Sequence, residues 1–422
     1  MIDLLKAVFT GIVFSGYYFP FEFTFLPGIN TKMVLAVIGI ILFVIQWLKD
    51  RNTAINRVFI SISAWAAVFS LFSLFSVTYN NTTDYTYASY IIKMWVWLSG
   101  AYAVLYLMRE VHGEISLKWV FHYMAWVCAA QSLLAIIIDT VPVIQNWVDA
   151  YILQDIEFLH RTKRLYGIGA FFDTAGIRFS CALLGLGYLL VHNTSVKREM
   201  WYWGLFLVIG ILGNIVSRTT TIGLIIAFSY LVFTKFSLNM WLDSSQIKLF
   251  INIIVVIGLV AGITFYCYRH FPAFRNYLQY GFEGFVNWYK TGDWSTGSTD
   301  RLQSMFVLPD NLKTWLIGDG WFVNPNDPNG FYKYTDIGYL RFIFYCGSIG
   351  LCMFVFFFIY CTYDFIRKWK ENTFFFLLLF LLELTVWIKI STDIFVVYAL
   401  LLLLDKCEPT QNSPQAPRQL TL

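Results

Sequence analysis

GYLRFIFYCGSIGLCMFVFFFIY, from Gly338 to Tyr360, is apolar and aromatic except for Ser348 and one guanidinium, Arg341. The stretch is long enough to cross a hydrocarbon core, for which a helix needs roughly 20 residues. Backbone polar groups cannot go unpaired in lipid, so a run of this kind must be helical. Similar runs at 4–21, 33–48, 58–77, 89–108, 119–138, 176–192, 201–217, 219–236, 248–268, 373–389 and 390–405 bring the expectation to about twelve spans. The boundaries at 217–219 and 389–390 are tight, and each of those pairs also fits a re-entrant hairpin. The chain is 58% hydrophobic, 20% aromatic and 13% charged, against roughly 45–50% apolar and 25% charged in soluble domains. The alternation of a membrane barrel is absent. The fold class expected is an all-α polytopic membrane protein. Residues 1–405 form one helical domain in the lipid bilayer, and the polar, Pro-containing segment 406–422 forms a disordered cytoplasmic tail.

Charge sets the orientation. One set of short loops carries Lys49, Arg51 and Arg57; Arg109 and Lys118; Lys197 and Arg198; Lys235 and Lys248; and Arg367, Lys368 and Lys370. The alternate short loops, 22–32 and 78–90, carry only Lys32. Basic short loops stay in the cytoplasm, which places both termini there. Two long outer loops, 139–176 and 269–337, are exempt from that bias and carry basic residues of their own. Between Arg269 and Arg341 these are Arg269, Arg275, Lys290, Arg301, Lys313, Lys333 and Arg341. Such charge outside the membrane suggests a site for an anionic, phosphate-bearing substrate. The net charge of +4 is small, and no basic tract interleaves with aromatics, so a nucleic-acid partner is not expected. The seven cysteines lie mostly in or beside apolar runs without metal-type spacing and read as small hydrophobes. The N-terminal run reads as an uncleaved first span.

The outer loops carry signs of structure. Ile144, Trp147, Val148, Tyr151, Ile152 and Leu159 fall on one helical face, which predicts an interfacial helix. In the larger loop, Thr299 or Asp300 can cap a helix beginning near Arg301 and ending before Pro309. NPNDPNG, 324–330, is a turn cluster. The loop is therefore expected to be a small folded cap with short helices. Its leading aromatics, from Phe271 to Tyr289, suit the membrane interface, with sugar stacking as the alternative.

Three segments occur in order: RLYGIGAFFDTAGIRFS (Arg164–Ser180), SRTTTIGLIIA (Ser217–Ala227), and STDRLQSMFVLPDNLKTWLIGDGW followed by YTDIGYLRFIFYCGSIGL (Ser298–Leu351). With their loop lengths, they resemble the O-antigen polymerase and ligase family of bacterial membrane glycosyltransferases. The resemblance covers roughly residues 160–355. It implies a helical glycosyltransferase of the C type, with a large folded periplasmic loop, in the bacterial inner membrane. It also implies inverting transfer between polyprenyl-diphosphate-linked oligosaccharides, with a chain-length regulator and a flippase as partners. The alternatives are a ligase that transfers glycan to lipid A-core, and a lipid-linked oligosaccharide flippase or transporter. Ligases of the family carry a His near the end of the large loop. Here the place reads Thr335-Asp336, which favours the polymerase.

Breaking a sugar–diphosphate bond releases negative charge, which Arg stabilises because it stays protonated and grips phosphate bidentately. Arg218, Arg301 and Arg341 are the expected catalytic cations. Arg164, Arg161 and Arg178 are expected to bind substrate. Arg218 sits between two apolar runs almost without a loop, a costly place for a charge unless it is paired or functional, with headgroup snorkelling as the structural alternative. Arg341 can equally pair with Asp336 or Asp173. A general base for the acceptor hydroxyl is expected to be a carboxylate, with Asp336 first. Its structural alternative is an N-cap for the following span. Asp173, Asp300 and Asp319 stand behind it as substrate-binding or reserve carboxylates. The carboxylates are scattered, so neither a metal nor a cofactor is expected. Lys389 and Asp393, four residues apart, are expected to pair on one helical face, and Glu383 is the residue that favours a transporter.

Overall fold

The computed structural model describes residues 2–49, 57–155, 164–193, 195–235, 281–293 and 295–404, with isolated helical positions between 157 and 279. The expectations for Arg161, for most of the span 248–268 and for the tail 406–422 lie outside the described residues. The described chain is mostly helical. In order come α1 (Ile2–Tyr18), α2 (Thr31–Lys49), α3 (Arg57–Tyr79), α4 (Tyr90–His112), α5 (Leu117–Thr140) and α6 (Pro142–Tyr151). They are followed by α7 (Phe172–Val191), α8 (Val196–Val216), α9 (Thr220–Lys235), α10 (Glu283–Thr291), α11 (Gly297–Ser304) and α12 (Leu312–Leu316). The chain closes with α13 (Gly338–Lys368), α14 (Thr373–Val386) and α15 (Phe395–Leu402).

Seven helices, α2–α5, α7, α8 and α13, are long and apolar enough to cross a membrane. Their burial is graded. In α7 nearly every residue from Ala175 to Leu190 is buried, whereas α2 buries only Ala36 and Gly39. The α2 face carrying Val37, Ile40, Ile41 and Trp47 is exposed, as expected of a helix at the rim of a bundle in lipid. The tight centre depends on small residues. A Cβ on Gly223 of α9 would lie 2.2 Å from the Ser180 Cα of α7. Gly223 therefore lets the two backbones touch, the packing mode that membrane helices use in place of a hydrophobic driving force.

Alternate loops converge on one end of the bundle. Glu22 and Phe23 pair as an antiparallel strand with Leu153 and Ile152. The Asp84 carboxylate accepts the Phe322 and Val323 N–H groups at 2.8 and 2.9 Å. Tyr87 donates to Ser391 O at 2.9 Å. At the opposite end Arg109 reaches Leu403 O and Lys118 reaches His192 O.

Helix α13 is broken at Gly347, where φ is 66°. That left-handed conformation is open to glycine, and it frees carbonyls of the preceding turn. The cap loop takes them up: Asp319 N–H donates to Phe344 O at 2.6 Å and Gly320 N–H to Tyr345 O at 3.1 Å. Ser76 adds a bond to Tyr345 O at 2.7 Å.

Several local expectations are corrected. The interfacial helix ends at Tyr151 rather than continuing to Leu159, because Ile152 and Leu153 enter the strand pair. The cap helix α11 begins at Gly297, capped by Thr296, whose hydroxyl accepts from Thr299 N–H at 3.0 Å. The turn cluster 324–330 is the bend and second strand of a hairpin, Val323–Asn324 against Asp327–Phe331. The run 373–389 leaves the helix after Val386, and the run 390–405 is helical only from Phe395 to Leu402. Lys389 and Asp393 therefore share no helical face.

Gly223→Ala is expected to lower the melting temperature in detergent, since forced overpacking costs about 1–3 kcal/mol. Gly204→Ala, where nothing lies within 4 Å of the new methyl, should leave it unchanged. Equal melting of the two variants would contradict the close α7–α9 contact.

Candidate functional site

Two carboxylates meet where the loops converge. Asp173 stands in the first turn of α7. Its Oδ1 accepts from Lys389 Nζ at 2.5 Å, from Thr219 Oγ1 at 2.6 Å and from Ser217 Oγ at 3.3 Å. Lys389 also reaches Thr219 Oγ1 at 3.1 Å. Gly176 makes this possible, because a Cβ there would strike Ser217 Oγ at 2.4 Å. Lys389 arrives from the non-helical segment between α14 and α15. That segment is held by Tyr339 N–H on Trp387 O at 2.9 Å, by Trp387 Nε1 on Thr392 O at 2.8 Å, and by Ile394 N–H on Glu383 Oε2 at 3.0 Å. Glu383 thus holds the turn that presents Lys389.

The second carboxylate, Asp336, lies just before α13. The helix is capped by Ile337 without a side-chain bond, so Asp336 is not its N-cap. Instead its Oδ1 pairs with Arg341 Nη1 at 3.2 Å. The Arg341 guanidinium lies between the rings of Phe322 and Phe331, 3.8 and 3.6 Å from their centroids. Only 6% of its side chain is exposed, and its Nε and Nη2 have no hydrogen-bond partner among the described residues. Those two atoms form one edge of the guanidinium, the fork that grips a carboxylate or phosphate bidentately.

Burial raises the Asp336 carboxyl to about 6; Arg341 opposes it, Asp173 adds to it, and Lys389 and Arg301 pull the other way. These charges act on one another, so both carboxylates and three cations lie at the same end of the bundle. The Asp336 side chain keeps 37% exposure, which leaves the site open on one side. Backbone strain flanks both acids. Phe172, before Asp173, has φ 53°, and Lys333 and Tyr334, before Asp336, have φ 56° and 53°. Such conformations cost of order 1–3 kcal/mol each and cluster at functional sites.

The other expected residues divide. Arg164 lies over the Phe172 ring at 5.8 Å, beside Asp173. Arg301 is exposed on α11 within electrostatic reach of Asp336, and Asp300 is exposed beside it. Asp319 is engaged elsewhere, with Lys313 Nζ and Thr314 Oγ1 both at 2.7 Å. Arg178 points to the Phe19 ring at 5.5 Å, away from the carboxylates.

Arg218 sits between Ser217 and Thr219, both of which face Asp173. Ser217 is extended (φ −153°, ψ 124°) and Arg218 opens the turn that leads into α9; its guanidinium meets Glu283 at 2.6 Å. Glu283 Oε1 also accepts from Gly297 N–H at 3.3 Å. The Arg218–Glu283 pair thus fastens the cap helices to the bundle. Lys389, Thr219, Glu283 and the two Phe rings were not singled out for the site by sequence reasoning. Lys389 carried the one usable signal, a cation inside an apolar run.

No family model, curated protein or solved structure matches the chain. The chemistry must therefore be argued from the site itself.

A double-mutant cycle of Asp173→Asn and Lys389→Gln is expected to give a coupling of about 1–2 kcal/mol in detergent unfolding, above the range of exposed pairs because the partners are mostly buried. Additive effects would remove the link between α7 and the 387–394 turn.

Proposed function

We propose that the protein is a membrane glycosyltransferase that joins polyprenyl-diphosphate-linked repeat units into a polysaccharide. The observation that carries this reading is the buried Arg341, with an unpartnered donor edge beside a carboxylate whose pKa is about 6. A phosphate oxygen pair would complete the Arg341 fork, and the water-poor setting strengthens that contact. Asp336 is poised as a general base near neutral pH, where such a base works best.

The reaction assigned to the site is one displacement. The acceptor hydroxyl oxygen attacks the anomeric carbon of the donor sugar and forms the new glycosidic bond. Its proton passes to Asp336. The bond from the anomeric carbon to the diphosphate oxygen breaks, and its electron pair leaves on the diphosphate. Arg341 meets that charge, with Arg301 and Lys389 nearby. In this reading Arg218 is a positioning residue that holds the cap through Glu283, and Asp173 is the counter-ion that aims Lys389. The twelve-span topology, cytoplasmic termini and a site on the outer face of a bacterial inner membrane belong to the same proposal. Basic residues of the short loops, Arg109 and Lys118 among them, lie at the end of the bundle opposite the site, as the positive-inside rule requires.

The flippase reading draws on the break between α14 and α15 and on the buried Glu383 beside it. Transporters place such breaks at mid-membrane. Here the break carries Lys389 to the first turn of α7, at the end where the loops gather, which favours the transferase.

The purified protein in liposomes, given polyprenyl-diphosphate-linked repeat units alone, should yield a ladder of lipid-linked oligomers and free polyprenyl diphosphate. Transbilayer movement of unchanged repeat units would instead establish the flippase. Arg341→Gln should lower turnover by about a hundredfold or more, the usual cost of losing one charge-stabilising donor. A base must be deprotonated, so turnover should rise with pH through about 6. Asp336→Asn should slow turnover and flatten that limb. A limb unchanged in Asp336→Asn would assign the base elsewhere.

A further inference from the structure

Two cations outside the carboxylate site make no ion pair among the described residues. Lys32 is the second residue of α2, and Arg178 lies on the second turn of α7, about 9 Å along the axis from its first residue. Both helix ends belong to the loop-gathering end of the bundle. Lys32 Nζ stands 4.5 Å from the Trp97 ring centroid and Arg178 Cζ stands 5.5 Å from that of Phe19. The end of α1 runs between them. Tyr17 donates to Trp97 O at 3.3 Å and meets the Trp97 ring edge-on, while Tyr18 donates to Arg178 O at 2.9 Å.

Both cations are half-buried, and neither makes an ion pair among the described residues. The charges acting on Lys32 are, in order, Arg178, Asp393, Lys93 and Glu22. The two acids are engaged with backbone: Asp393 Oδ1 accepts from Phe395 N–H at 2.9 Å and Glu22 Oε2 from Gly28 N–H at 3.0 Å. Like charges that act on one another in a low dielectric repel. Cations at membrane depth are otherwise paired or functional. The aromatic faces offset part of that cost.

We propose that Lys32 and Arg178 bind the phosphate of a lipid headgroup at this end of the bundle. The setting fits a lipid ligand: α2 is the least buried of the seven long helices, and its exposed apolar face offers a track for an acyl or prenyl tail. The guanidinium and ammonium supply charge-assisted donors to phosphate oxygens. The Trp97 and Phe19 rings hold the two cations from behind. This site is separate from Arg341 and does not require the transferase chemistry.

Native mass spectrometry of the full chain, titrated with phosphatidylglycerol and separately with polyprenyl diphosphate, tests it. Lys32→Gln with Arg178→Gln should weaken retention of the better-held lipid about tenfold, as expected when charge-assisted donors are lost. Asp393→Asn removes the opposing acid and should strengthen retention, a gain that misfolding cannot mimic. The same loss of about tenfold is expected when the two substitutions are added to an Arg341→Gln background, where lipid held at the proposed donor site cannot mask it. Preference for phosphatidylglycerol assigns the site to bilayer lipid, and preference for polyprenyl diphosphate assigns it to the carrier lipid. The proposal is overturned if the wild-type protein holds neither lipid. It is equally overturned if the double variant keeps full affinity, or if Asp393→Asn brings no gain.

Discussion

A guanidinium taken out of water must be repaid by charge and hydrogen bonds, and at Arg341 the protein supplies only half of them. One Nη1 contact to Asp336 and two aromatic faces hold the cation, while one edge has no partner among the described residues. Burying a charge this way costs several kcal/mol before compensation. The surrounding architecture accounts for how it is sustained. The break at Gly347 ties segment 316–320 to α13, and Asp84 fixes the hairpin that carries Phe322 and Phe331. The aromatic clamp is therefore built by the cap loop and the bundle together.

The same constraint explains the Asp173 cluster. A carboxylate at the first turn of a spanning helix needs donors, and it takes one ammonium and two hydroxyls from two other segments. Small residues set the distances. Gly176 lets Ser217 and Thr219 close in, and Gly338 lets the start of α13 lie on the backbone of Trp387 and Ile390. Strain at Phe172, Lys333 and Tyr334 is tolerated on either side of the acids. Packing that tight holds the charges near one another.

Much of this was legible in the sequence, and the remainder was hidden for definite reasons. Seven of the twelve apolar runs are helices long and apolar enough to cross a membrane among the described residues, because hydrocarbon length and backbone pairing leave few options. The Arg341–Asp336 pair was legible because the two residues are five apart. The Lys389–Asp173 pair was not, since 216 residues separate them. Lys389 was instead assigned to Asp393 on the assumption of continuous helix, and the chain leaves the helix after Val386. Arg218 was singled out correctly as a costly charge, but its partner Glu283 lies in a segment whose fold depends on the bundle below it.

The measurement that bears most directly on the transferase account is a cryo-electron-microscopy map of the protein in lipid nanodiscs with a C-glycosyl phosphonate donor, in which a methylene replaces the anomeric oxygen so that the bond broken in transfer is absent. The account predicts phosphonate density within hydrogen-bond distance of Arg341 Nε and Nη2, with the anomeric carbon between them and Asp336. Phosphonate density away from Arg341, with its donor edge still unfilled, would contradict it.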